Sequence, residues 1–286
     1  MKFKAALFDF DGTVTNEGQY APTKELSFAL LKLARKMPIG FCTGRQLDSF
    51  VERGLTHILE VLDEKDHEDL LKNLFLFGEN GAVGYHYDLE SMGFKEFYNV
   101  AWPEEFLAKD KFKEDLEKLV LEYGMLYQRA HKIVVVIRTK HHYDEWKDMK
   151  EVYRYSGEIY KICCKFLEDY DSDYEKHLHV GNSGIGVVVG PAGGDKDIGI
   201  RKFGEYLVSE RGIELGEDLR EILAVGDRPL YGGNDHYFLK GEVGTPYSVG
   251  DLVEGAEFPL AVLGEKGERL FNANGTLALV EKILAG

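Results

Sequence analysis

Short aliphatic runs that end in polar, glycine-containing turns recur along the first third of the chain. Ala5-Ala6-Leu7-Phe8 leads into Asp9-Phe10-Asp11-Gly12, Ile39-Gly40-Phe41-Cys42 into Thr43-Gly44-Arg45, and Leu74–Phe77 into Gly78-Glu79-Asn80-Gly81. A continuous apolar run of this length predicts a strand covered on both faces. Helical stretches separate the runs. After a Thr23 cap, Leu26, Ala29, Leu30 and Leu33 share one face until Pro38 stops the helix. The segment 46–72 is amphipathic and reads as helix with a break or two. The order strand, helix, strand, helix, strand predicts an α/β fold built on a doubly wound parallel sheet.

After about residue 85 the texture changes and becomes rich in Tyr, Lys and Glu. The pattern predicts a helix over 111–123, a strand over 132–139, another helix near 143–155, and a hairpin in which Leu178–Val180 and Ile185–Val189 flank the turn Gly181-Asn182-Ser183-Gly184. Past Pro191 the first texture returns, with a helix over 197–211, a strand over 222–225, short strands near 244–248 and 260–263, and a closing helix over 276–284. The organisation expected is therefore a core in two pieces, 1–85 and 190–286, around an inserted α+β unit at 86–189.

Composition narrows the function. With 35 Lys+Arg against 50 Asp+Glu the formal net charge is −15, a balance that repels phosphate backbones and anionic lipid, so neither nucleic acid nor membrane is expected as a partner. No apolar run approaches the roughly 18 residues of a spanning helix, and the start of the chain lacks signal-peptide character. Cys42, Cys163 and Cys164 match neither a CxxC pair nor a zinc spacing. Free thiols, a reducing compartment and a cytoplasmic location are expected.

The strand ends carry the chemistry. Asp9 and Asp11 lie two residues apart at the carboxyl end of a buried strand, where open α/β sheets bind ligands. A lone Asp-Gly is a common turn dipeptide, but two neighbouring acids ionise together only when something positive sits between them. Asp227 follows the 222–225 strand and should emerge on the same edge, and such an all-oxygen cluster suits Mg²⁺. Lys196 precedes a helix and can reach into the acids. Thr43 and Gly44 offer a hydroxyl and open backbone amides to a phosphate oxygen. Each alone has an ordinary explanation as cap, turn or solvated side chain. A dinucleotide fingerprint and a P-loop are absent, since Lys196 is followed by Asp197.

Taken in order, Asp9-Phe10-Asp11-Gly12-Thr13, Thr43-Gly44-Arg45, Asp195-Lys196 and Gly226-Asp227 with Asn234-Asp235 resemble the four motifs of the haloacid dehalogenase (HAD) superfamily. An insert between the second and third motifs is similar to the C2-type cap of Cof-like sugar phosphatases, sucrose-phosphate phosphatase and phosphomannomutase. The resemblance implies a phosphomonoester hydrolase acting on a small phosphorylated metabolite such as a sugar phosphate. In it Asp9 is the nucleophile and Asp11 the acid and base. Mg²⁺ is held by Asp9, the Asp11 carbonyl and Asp227. Gly12, Thr43, Gly44 and Lys196 hold the phosphoryl oxygens, and Asn234 and Asp235 support the metal waters or Lys196. The Gly232-Gly233-Asn234-Asp235 ending resembles phosphomannomutases and keeps a phosphosugar mutase as an alternative, whereas Thr43-Gly44-Arg45 is phosphatase-like. A silent phospho-ligand binder is a further alternative. Arg45, Arg129, His131, Asn182 and Ser183 are candidates for contacting the leaving group.

Overall fold

The computed structural model describes residues 2–127, 131–140 and 149–286. The strands of the main sheet are β1 (Ala5–Phe8), β2 (Ile39–Cys42), β3 (Leu74–Gly78), β4 (Val83–Asp88), β5 (Gly93–Asn99), β10 (Ile222–Gly226), β11 (Thr245–Ser248) and β12 (Leu260–Ala261). They lie in the order β12-β11-β10-β1-β2-β3-β4-β5, parallel from β12 through β3 and antiparallel beyond. The chain leaves β1 toward β2 and β3 on one side and later fills β10, β11 and β12 on the other. The order therefore reverses at β1, which opens a crevice beyond the strand's carboxyl end.

Alternation along each buried strand builds two cores. Ala6, Phe8, Leu223, Val225, Ile39 and Phe41 face one way, with helices α1 (Lys24–Ala34), α4 (Glu64–Leu71) and α9 (Asn272–Ala285) packed over them. Ala5, Leu7, Ile222, Ala224, Phe75 and Phe77 face the other, under α7 (Lys196–Arg211) and α8 (His236–Leu239). Thr23 caps α1 by accepting from the Leu26 amide, as expected. The 46–72 segment is α2 (Leu47–Phe50), a π-helical turn over Val51–Leu55, α3 (Thr56–Glu60) and α4.

A second sheet holds β6 (Gly124–Leu126), β7 (Val135–Thr139), β8 (Leu178–Asn182) and β9 (Gly186–Pro191) in the order β6-β7-β9-β8, all antiparallel. Helices α5 (Lys109–Val120) and α6 (Met149–Tyr170) cover its apolar face. The first part of the helix expected near 143–155 lies outside the described residues. The main sheet continues through β4 and β5 to Asn99, beyond residue 85, because these strands form an antiparallel edge hairpin that is only half buried.

Glu79 ties the two sheets together. It follows β3 with a positive φ of 52°, and its buried carboxylate accepts from the backbone amides of Lys132, Ile133 and Val134 just before β7. An acceptor serving three amides cannot be removed cheaply, since a buried donor left without a partner costs about 1–3 kcal/mol. Glu79→Ala is expected to lower the unfolding free energy by about 2–4 kcal/mol in urea titration. A loss below about 0.5 kcal/mol would show that water replaces the carboxylate without penalty.

Candidate active site

β1 and β10 pair in parallel with Phe8 beside Val225, so the residues that follow each strand leave the sheet at the same edge. Asp9 donates its amide to the Val225 carbonyl at 2.7 Å, which fixes its carboxylate beside that of Asp227. Gly226 must be a glycine here, because a Cβ would lie 2.7 Å from Asp235 Oδ2. Gly12 turns the chain away with φ of 84°, and a Cβ there would lie 2.8 Å from Asp227 Oδ2. The turn is pinned from behind by the start of α9, where Asn272 donates to the Gly12 carbonyl and Thr276 to that of Thr13, each at 2.7 Å.

Lys196 is the first residue of α7 and is capped by Asp195, whose carboxylate accepts from the Lys196 amide at 2.6 Å. Its fully buried ammonium donates to Asp9 Oδ1 at 2.6 Å and to Asp235 Oδ1 at 2.5 Å. The other oxygen of Asp235 accepts from the amides of Asp227 and Arg228 at 2.9 and 3.1 Å. Both Asp235 oxygens are thus committed to holding Lys196 and the loop after β10.

The electrostatics follow. Burial pushes the Asp9 carboxyl up to about 7; Lys196 opposes the rise while Asp235 and Asp11 add to it. Burial, then the charges of Asp235 and Asp9, push Asp227 well above the carboxylate range. At Asp235 burial acts in the same sense, but Lys196 and the two amides overcome it and hold the carboxyl low. At Lys196 burial disfavours the ammonium, and Asp235 and Asp9 prevail to keep it charged. One ammonium does not neutralise three buried acids.

Carboxylate oxygens of Asp9, Asp227 and Asp235 lie within 4.8 Å of one another. Hard oxygen donors, a deficit of positive charge and the room left by Gly12 fit a divalent cation of the Mg²⁺ type. Since Asp235 is occupied by its own hydrogen bonds, Asp9 and Asp227 are the carboxylates left to hold it.

Thr43 is buried at the end of β2, where its hydroxyl accepts from the Arg45 amide at 3.2 Å. Arg45 then turns back to Asp11. Its Nε donates to Asp11 Oδ2 at 2.9 Å, a second guanidinium nitrogen to Oδ1, and a third to the Arg53 carbonyl at 2.7 Å. Phe10 lies beneath the guanidinium, 5.0 Å from ring centre to Cζ.

These residues open on a cavity of about 390 Å³ between the two sheets. Of the residues singled out from sequence, Asp9, Asp11, Thr43, Gly44, Arg45, His131, Ser183, Asp227 and Asn234 line it. Gly12 and Lys196 stand behind that wall. Asn182 does not line it: its side-chain oxygen accepts from Ser156 at 2.6 Å and from the Gly184 amide at 2.7 Å, so it shapes the hairpin turn instead. Arg129 lies outside the described residues. Sequence reasoning passed over Tyr20, Arg53, Tyr127, Arg138, Lys140 and Arg228, which also line the cavity. Only a period-two reading of 136–140, which puts Val136, Arg138 and Lys140 on one strand face, could have raised two of them.

The fold is similar to that of solved structures that include a haloacid dehalogenase-like hydrolase. The structure superposes on an N-terminally truncated IMP-nucleotidase of Plasmodium falciparum with a TM-score of 0.63 at 13% identity, covering 98% of this chain and 70% of the other. For a haloacid dehalogenase-like hydrolase of Bacteroides thetaiotaomicron the values are 0.57 and 15%, covering 98% and 99%. For a trehalose-6-phosphate phosphatase related protein they are 0.54 and 14%, covering 98% and 97%. No protein-family model matches the sequence, nor does any curated protein. Among the described residues no helix is long and apolar enough to cross a membrane.

Proposed function

We propose that the chain is a Mg²⁺-dependent phosphomonoester hydrolase of a small phosphorylated metabolite, with the second sheet and its helices serving as the cap. The observation that carries this reading is the buried Lys196, shared between Asp9 and Asp235 beside Asp227 at the point where the sheet order reverses.

In the first displacement an Asp9 oxygen attacks phosphorus and the bond from phosphorus to the leaving oxygen breaks. Asp11 gives that oxygen its proton. The resulting aspartyl phosphate is then attacked by water, which passes a proton to Asp11 as the Asp9–phosphorus bond breaks and phosphate departs. When bound, the cation neutralises the phosphate against the acids and stabilises charge on its oxygens. Lys196, the Thr43 hydroxyl and the open backbone at Gly44 hold the transferring oxygens. Asp11 must leave Arg45 to meet the leaving oxygen, so Arg45 sets where the acid waits between turnovers. Leu126, Val136 and Val188 of the second sheet, with Ile185 of the turn between β8 and β9, wall the cavity and exclude bulk water from the phosphoryl group.

The buried thiols of Cys42 and Cys163 and the half-buried Cys164, all free, suit a cytoplasmic setting. The structures of similar fold include proteins described as an IMP-nucleotidase and as related to trehalose-6-phosphate phosphatase, which supports a sugar- or nucleoside-phosphate type of substrate. Release of inorganic phosphate from a panel of phosphate esters with Mg²⁺ tests the reading. Conversion of one sugar phosphate into its isomer, with a bisphosphate requirement and no phosphate release, would instead establish a mutase.

Metal affinity should depend on pH. A proton on Asp9 competes with the cation, and its carboxyl is pushed up to about 7. Asp227 is pushed up as well, so a second proton competes, and Mg²⁺ affinity measured by calorimetry is expected to rise by about tenfold or more per pH unit up to neutrality. An affinity flat between about pH 5 and about pH 7 would remove Asp9 from the metal site.

A further inference from the structure

A second, small cavity of about 40 Å³ adjoins the catalytic one across Asn234, which lines both. Its other walls include Asn80 after β3, His179 and Gly181 of β8, and Asp195 before α7. Asn80 is 1% exposed, yet neither end of its amide has a hydrogen-bond partner among the described residues, and the same holds for Asn234 Oδ1 and His179 Nε2. Asp195 Oδ2 lies 3.5 Å from that nitrogen, too far for a good bond. The two amides converge: a Cβ on Gly181 would lie 3.5 Å from Asn234 Oδ1 and 3.7 Å from Asn80 Nδ2. Glycine at 181 leaves the space between them open.

The donors and acceptors select the occupant. His179 Nδ1 lies 3.0 Å from the Pro191 carbonyl and needs its proton to bond there, so in the neutral ring Nε2 is an acceptor. One donor, Asn80 Nδ2, and two acceptors, Asn234 Oδ1 and His179 Nε2, therefore line a space of about one water. A water accepts from the first and donates to the other two. Buried polar groups are satisfied in this way when protein atoms do not reach them, and an amide donor does not suit a bare cation.

Three parts of the chain meet here. The Asn80 amide donates to the Thr43 carbonyl at 2.8 Å, and the Glu79 amide to that of Arg45 at 2.9 Å. Asn182 of β8 donates to the Gly232 carbonyl at 2.8 Å and accepts from the Asn234 amide at 3.2 Å. The turn at Thr43, the loop after Asp227 and the edge of the second sheet thus border one small polar space.

We infer that this cavity binds an ordered water bridging Asn80 to Asn234, with His179 as its third partner, and that Asn80 acts through this water as a positioning residue for Asn234. With Asn234 Oδ1 held in the small cavity, its Nδ2 is left to face the catalytic one as a donor toward phosphoryl oxygens. The water site stands by itself; the positioning role rests on the hydrolase reading.

A crystal structure of the full chain at about 1.5 Å, with a second crystal soaked in Tl⁺, tests the site. One water within about 3.2 Å of both Asn80 and Asn234, without anomalous signal from Tl⁺, is expected. A dry cavity, or a Tl⁺ peak in it, overturns the inference. Kinetics with p-nitrophenyl phosphate and Mg²⁺ test the role. Asn80 has φ of 63°, so Asn80→Gly removes the amide without straining the backbone. It should lower kcat about tenfold with KM within about twofold of the parent. Asn80→Asp keeps the size and can bond the water whether ionised or neutral, so it should retain at least about a third of the parent kcat. An unchanged kcat in Asn80→Gly, a change confined to KM, or an equal loss in both variants overturns the positioning role and leaves the hydrolase standing. A parent chain that hydrolyses no phosphate ester overturns the hydrolase reading and the positioning role together, while the density still decides the water. The density also decides it if either variant fails to fold.

Discussion

Asp9→Asn is expected to reduce phosphate release about 10⁴-fold, with binding of a phosphate ester retained. The amide keeps the shape of the carboxylate but cannot attack phosphorus, and among the described residues the neighbouring acids are otherwise engaged: Asp11 by Arg45, Asp235 by Lys196 and two amides, and Asp227 as a candidate ligand of the cation. Folding should survive. Burial and the neighbouring acids disfavour the ionised form of Asp9, so removing its charge relieves repulsion, while Lys196 retains Asp235. The thermal midpoint of the metal-free variant should therefore stay within about 3 °C of the parent, roughly what a change of 1 kcal/mol produces in a chain of this size. Phosphate release assayed beside a melting curve separates the alternatives. Unchanged turnover would assign the nucleophile elsewhere, and a chain with no turnover before or after the substitution but intact ligand binding would be a phospho-ligand binder.

What could be read from the sequence follows from how much each residue's surroundings depend on distant chain. The central strands β1, β2, β3 and β10 were legible because burial on both faces forces an uninterrupted apolar run. The hairpin of β4 and β5 was not. It lies at the antiparallel edge with one half-exposed face, so Tyr85, Tyr87, Phe94 and Phe97 alternate with Lys, His and Glu, and the run reads as mixed texture.

At the site, Asp9, Thr43, Lys196 and Asp227 were legible because each sits at a strand or helix end, where local pattern and the topology of open sheets agree. Glu79 was visible only as part of a turn; its hydrogen bonds to residues 132–134 span more than fifty positions. Arg53 lies in the π-helical turn Val51–Leu55 and Arg138 on β7 of the second sheet, and their shared cavity appears only when these elements are packed. Asn182 erred in the opposite direction, since a polar residue in a hairpin next to a cavity can serve either ligand or turn, and here Ser156 and the Gly184 amide take its oxygen.

Lys196→Met should be the most destabilising substitution at the site. The side chain has no solvent exposure and its ammonium is the cation bonded to both Asp9 and Asp235. Methionine fills similar volume, so the loss is electrostatic. Breaking a buried pair by removing one partner costs about 3–5 kcal/mol. The pH dependence has a definite sign. In the parent, Asp235 is held below its unfolded value and contributes stability at neutral pH that is lost as pH falls through its folded value. Without Lys196 it joins Asp9 and Asp227 as a buried acid that resists ionisation, and a carboxyl raised by folding loses stability as pH rises above its unfolded value. In EDTA the deficit of the variant relative to the parent should accordingly be larger at about pH 8 than at about pH 5, by on the order of 1–2 kcal/mol in urea titrations. Adding Asp235→Asn should recover part of it, because the pair then leaves together and the double change costs less than the sum of the single ones. A deficit equal at both pH values, or strict additivity, would mean that Lys196 stabilises the fold by packing and not by holding these carboxylates ionised.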